Sequence, residues 1–230
     1  MATKLSAEGH EVVFVDNEST YPPLLEYYKT QQVRYLGVNL GASGPWHLPD
    51  ISKSRVPFVV TDPDLDLSTI PSDWDSVLLW GLKELSTHSK CGFSLEDTGV
   101  PSTNPSSWLD EFGTTGNPKY WDPRIETAGP KCSYFAYPID TTFAVYRPGV
   151  PFRIDGHRTG RPYTARHLPF HLVVHVDEKE SSFQIPLNDE LLYYFDHAKG
   201  NTFGRYSTTK TRMMPLVEEF RRSSNSKTSA

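Results

Sequence analysis

Between Glu11 and Leu95 the chain alternates short apolar runs with helical periodicity, and this alternation limits the possible fold more than any other feature. EVVFVD (11–16), VRYLGV (33–38), FVVT (58–61) and KCGFSL (90–95) each read as a buried strand, the first three rich in β-branched or aromatic residues. Helices fall between them. One is predicted over 24–30, opened by Ser19 or Thr20 as N-cap with Pro22 and Pro23 in its first turn. A second spans 72–88, where Trp74, Val77, Leu78, Leu82 and Leu85 recur at amphipathic spacing. Such a rhythm predicts an α/β domain with a mostly parallel sheet and helices on both faces.

The second half has another texture. Residues 97–132 are rich in Pro, Gly, Ser and Asn and read as a long irregular excursion. Strands are expected at 133–137 and 141–146, a loop at 155–164 and a helix at 188–197. The expected organisation is one domain over 1–220 with a polar, disordered tail at 221–230. A net charge of −5 without a long basic run argues against nucleic acid as a partner. No stretch approaches the roughly 20 apolar residues of a membrane span, and no apolar leader region opens the chain, so a cytoplasmic location is expected. Cys91 and Cys132 lack the surroundings of a disulfide scaffold or a metal site.

The third strand runs into TDPDLDLS, which places Asp62, Asp64 and Asp66 at every second position. Carboxylates crowded at a strand end repel one another unless a cation joins them. Turn chemistry alone accounts for isolated aspartates after a strand. A calcium loop needs Gly at its sixth position, where Leu67 stands. A metal-dependent phosphatase with a nucleophilic aspartate after an apolar strand needs a later acid-bearing strand and a lysine; no G-D-x-x-x-D occurs, and this reading stays as the weaker enzymatic alternative. A metal–diphosphate site fits better, because a hard divalent cation held by one or two carboxylates keeps positions open for phosphate oxygens. No G-x-x-x-x-G-K-[ST] loop offers an alternative cradle. Strand ends in parallel α/β sheets gather ligands, and Asp16, Asn39 and the acidic trio all lie at such ends.

VVFVDNEST followed by VVTDPDLDLS, with NLGASGPW, IDTTFAVYRPG and PYTARHLPF in the same order, resembles the small GT-A glycosyltransferases of the family 2-like group over about residues 9–200. Together these stretches are similar to bacterial single-domain members and to the N-terminal glycosyltransferase domain of a chlorella-virus protein. The resemblance implies a GT-A-like nucleotide-diphospho-sugar transferase fold, a UDP- or GDP-type nucleotide-sugar donor, Mn²⁺ or Mg²⁺, and transfer to a hydroxyl of a carbohydrate or glycan acceptor.

Carried over by residue, Asp16 faces the donor nucleoside, with Asn39 beside it. Asp62 and Asp64, or Asp64 and Asp66, form the D-x-D pair; the first frame, nearest the strand end, is favoured, Asp64 belongs to both, and Asp66 alternatively caps the following segment. His167 is the late histidine that serves as a further metal ligand in some GT-A folds. Asp140 is the expected base of an inverting reaction, taking the acceptor hydroxyl's proton, with a turn aspartate as its bland reading and Glu96 and Asp97 as rivals near the acceptor. Arg158, Arg161 and Arg166 are candidate diphosphate contacts, because guanidinium pairs bidentately with phosphate. Trp46 either stacks on a sugar face or plugs the core. His167, His171 and His175 lie four apart, but Pro169 and the β-branched residues that follow argue against a helix presenting all three to zinc. A catalytically impaired sugar-binding relative is the non-enzymatic alternative.

The resemblance also places an opening strand inside the sheet, between the strand ending at Asp16 and the one ending at Asp62. Only nine residues precede the match, and ATKLSAEGH reads as the end of a helix. The expectation is therefore an interrupted sheet, with a gap of about twice the 4.8 Å strand spacing or direct pairing of the flanking strands.

Overall fold

The computed structural model describes residues 1–100, 123–139, 141–171, 175–177 and 182–184. Two compact units arise, one from 1–100 with 105–171, the other from 101–104 with 172–230. Of the second, the described part is an antiparallel pair, β10 (His175–Asp177) with β11 (Ser182–Gln184). The expected helix at 188–197 and the tail at 221–230 lie outside the described residues.

In the first unit the chain forms α1 (Ala2–Ala7), β1 (Phe14–Asp16), α2 (Pro22–Tyr28), β2 (Val33–Tyr35), a 3₁₀ turn (Gly41–His47), α3 (Pro49–Ser52), β3 (Phe58–Val60), β4 (Leu65–Asp66), α4 (Trp74–Glu84) and β5 (Lys90–Leu95). It continues through β6 (Glu126–Ala128), β7 (Ser133–Ala136), β8 (Ala144–Tyr146) and β9 (His157–His167) to a short helix, Leu168–His171. The main sheet runs β3–β8–β5–β9–β7–β6, with β4 pairing the end of β9.

The fold is α/β, but this sheet is mixed rather than mostly parallel. Within it only β5 and β9 run parallel; β3–β8, β5–β8, β7–β9, β6–β7 and β4–β9 are antiparallel. The reason lies in the connections. Parallel neighbours need a crossover of a dozen or more residues, whereas β6 and β7 are joined by four, 129–132, which permits only a hairpin. The expected loop at 155–164 is also corrected, since 157–164 belong to β9, the longest strand among the described residues.

All six residues of β5 are buried. Helix α4 covers it with Trp74, Val77, Leu78 and Leu82, and Trp74 meets Phe93 and Phe143 edge-on. Each such side chain contributes about 1.5–3 kcal/mol of burial. Close approach needs glycine twice: a Cβ on Gly81 would stand 2.6 Å from Cys91 Sγ, and one on Gly92 2.3 Å from the Phe143 carbonyl oxygen. Cys91 and Cys132 are buried free thiols. A second cluster, Ile139, Ala144 and Tyr146, packs against Trp46, Phe58 and Val60.

Strands β1 and β2 form a separate parallel pair. Helix α2 starts behind Tyr21, without the side-chain cap expected from Ser19 or Thr20. Among the described residues β1 pairs only with β2, and β3 only with β8, so these two strands do not pair directly with each other. No helix among the described residues is long and apolar enough to cross a membrane.

Candidate functional site

Strand β4 brings the acidic run beside the end of β9: Leu65 pairs with His167, Asp66 with Arg166, and the Leu168 amide donates to the Asp64 carbonyl at 3.0 Å. The three aspartates are then separated by their partners. Asp62 accepts the Thr141 hydroxyl through Oδ2, and its amide donates to the Thr141 carbonyl at 3.0 Å. Asp66 Oδ1 accepts from the Ser68 amide at 2.8 Å, the capping alternative, while Oδ2 is 4.0 Å from Arg166. The Ser68 amide, above all, holds the Asp66 carboxyl below its ordinary value.

Asp64 is placed differently. Its Oδ2 lies 3.1 Å from His167 Nε2, and its Oδ1 is buried with no hydrogen-bond partner. The expected four-residue metal set is not assembled: among the described residues no three carboxylate, thiol or imidazole groups converge as a metal cluster. The arrangement brings together Asp64 and His167, with Asp66 and Arg166 alongside. His167, His171 and His175 fall on a strand, a short helix and another strand, so no helix presents the three together.

The arginines divide by what they touch. Arg158 is 2% exposed and donates to the carbonyls of Pro138 (2.8 Å) and Phe93 (3.0 Å), so it holds strands together and is withdrawn as a phosphate contact. Arg161 pairs with Glu96 at 3.0 Å and with Asp97. Arg166 stands beside the acids with its Nε buried and unpartnered. Glu96 is also engaged by the Thr164 hydroxyl at 2.7 Å and the Thr98 amide at 2.9 Å. Burial pushes its carboxyl up, but the donors Arg161, Thr98 and Thr164 outweigh burial and hold it well below the usual range, which disfavours Glu96 as a base.

Asp16, 3% exposed at the end of β1, accepts the Ser19 amide at 3.0 Å through Oδ2 and leaves Oδ1 buried without a partner. Asn39 is exposed and closes a local turn onto the Gly41 amide at 3.0 Å. Asn17 is a residue the sequence reading missed: its amide donates to the Gly41 carbonyl at 3.0 Å and accepts from Leu40, tying this loop to β1. Trp46, half-buried, packs against Tyr146 (4.9 Å) and Phe152 (5.2 Å) and donates to the Val150 carbonyl, contacts that favour the plug over the sugar platform. Asp140 lies outside the described residues.

A groove of about 550 Å³ lined by Pro57, Leu79, Leu82, Lys83, Arg147 and Pro148 contains no carboxylate or imidazole, and none of the acids reaches it. Comparison of the chain with protein-family models, with curated proteins and with solved structures finds no match.

Proposed function

We propose that this chain is a divalent-metal-dependent glycosyltransferase of the GT-A type, moving a sugar from a nucleoside-diphosphate donor to a hydroxyl acceptor with inversion. The observation that carries this reading is the Asp64–His167 pair, 3.1 Å apart, with the second Asp64 oxygen buried and unpartnered. A buried acceptor without a donor is costly unless a ligand completes it. One carboxylate and one imidazole fit a cation that keeps most positions for a diphosphate, and nitrogen ligation favours Mn²⁺ over Mg²⁺. When bound, that ion would neutralise the charge of the departing diphosphate.

The protein's own groups divide the remaining work. Arg166 donates to phosphate oxygens, and the unpartnered Asp16 oxygen accepts an N–H or O–H of the nucleoside. Asp140 accepts the proton of the acceptor hydroxyl as the sugar leaves.

A sugar-binding relative without turnover is the second reading, favoured by the absence of three converging metal-binding groups among the described residues. Thermal shift with Mn²⁺ and a panel of UDP- and GDP-sugars, combined with assay of nucleoside diphosphate release, separates the two. Metal-dependent binding with release supports transfer, and binding without release supports the relative.

A further inference from the structure

Strand β9 does not run evenly beside β5. Phe93 pairs with Thr159, yet the next β5 residue, Ser94, pairs with Thr164. Residues 160–163 bulge outward between these pairs, tied back by Thr159 Oγ1 to the Tyr163 carbonyl at 2.6 Å and by Tyr163 Oη to Asp73 at 2.9 Å. The arm beyond the bulge, residues 164–167, therefore does not inherit its register from the pairs before it. That arm carries Arg166 and His167. A slip of one residue would turn every side chain to the opposite face and remove His167 from Asp64.

Glu96 is the residue that spans the irregularity. Its carboxylate takes Arg161, inside the bulge, at 3.0 Å and Thr164, the first residue after it, at 2.7 Å. Its backbone amide donates to the Ala165 carbonyl at 2.8 Å, and its carbonyl lies 3.1 Å from His171 Nε2, beyond the arm. One residue at the end of β5 thus touches the bulge, the arm and the helix that follows. We propose that Glu96 is a positioning residue that fixes the register of the β9 arm and so holds His167 against Asp64. The proposal rests on the reading above for its consequence, metal–nucleotide binding, but its structural half stands independently of that reading.

The variants are Glu96→Ala, Glu96→Gln and Thr164→Val, in the full chain. Hydrogen exchange of the Leu168 amide, which donates to the Asp64 carbonyl, reads the register without ligand. Titration with Mn²⁺ and UDP or GDP, expressed per folded molecule, reads the site. Glu96→Ala should speed Leu168 exchange about tenfold and weaken metal–nucleotide binding by about tenfold, because the arm that carries His167 loses its register. Thr164→Val should shift both in the same direction by less. Glu96→Gln, which retains an acceptor for Thr164, should recover most of the loss. A Glu96→Ala protein with a lower Tm but wild-type Leu168 exchange and affinity overturns the proposal. Faster exchange in Glu96→Ala, with no metal-dependent nucleotide binding by the wild type, would sink the glycosyltransferase reading and leave the register claim standing.

Discussion

His167 Nε2 sits 3.1 Å from Asp64 Oδ2 across a sequence separation of 103 residues. Antiparallel pairing of β4 with the end of β9 produces this meeting, which leaves the neighbouring Asp62 and Asp66 with partners of their own. The three aspartates are therefore unequal, and substitution should reveal it. Asp64→Ala and His167→Ala are each expected to remove Mn²⁺-dependent stabilisation by a nucleoside diphosphate, weakening binding about tenfold or more. Asp66→Asn should cost less. Equal losses at all three aspartates, measured by thermal shift, would contradict the ranking.

The arginines should separate binding from stability. Arg166→Ala is expected to weaken nucleotide affinity while leaving Tm nearly unchanged. Arg158→Ala removes the donor from the Phe93 carbonyl of β5 and from the Pro138 carbonyl beyond β7, and should lower stability by about 3 kcal/mol. Denaturant unfolding and nucleotide titration of both variants check this. A reversed pattern would move the phosphate site to Arg158.

Asp140 is expected to act in turnover more than in donor binding. Asp140→Asn should lower kcat by about 100-fold or more with donor affinity nearly unchanged, because a base acts on the acceptor only in the transition state. Unaltered transfer by the variant would remove Asp140 from the mechanism.

Acid should destabilise the fold through His157, which is buried at the start of β9 with its ring 4.3 Å from that of His88. Burial first, then the neighbouring His88, lowers it from 6.5 to about 4. Between those values the unfolded chain binds the proton more readily, so stability falls as pH drops from 6.5 towards 4, by about 3 kcal/mol at most. His171 is shifted the same way by burial and adds to the slope. Glu96, held low, withdraws its contribution only at more acidic pH. Tm measured from pH 7 to pH 5 should decline in the wild type and decline less in His157→Asn.

Much of this was legible where one force dominated. KCGFSL is buried along its whole length and was readable as a strand, and the spacing of Trp74, Val77, Leu78 and Leu82 marked α4. Strand β9, HRTGRPYTARH, was hidden because its polar residues are buried with partners: Arg158 on carbonyls, Thr159 on Tyr163, Thr164 on Glu96. Hydrophobic patterning does not register a polar strand satisfied by its neighbours. No spacing rule could anticipate that Arg166 lies beside Asp66 while Arg161 pairs with Glu96 and Arg158 turns inward. Trp46 carries two readings in the sequence, and its aromatic neighbours favour packing.

Release of nucleoside diphosphate from nucleotide sugars tests the central claim most directly. Wild-type protein and Asp64→Ala would be incubated with UDP- and GDP-sugars in Mn²⁺, with and without a chelator. Release from at least one donor is predicted, abolished by the chelator and reduced about tenfold or more in Asp64→Ala. Release that persists undiminished in the chelator and in the variant, or no release from any donor together with no metal-dependent nucleotide binding, would contradict the account.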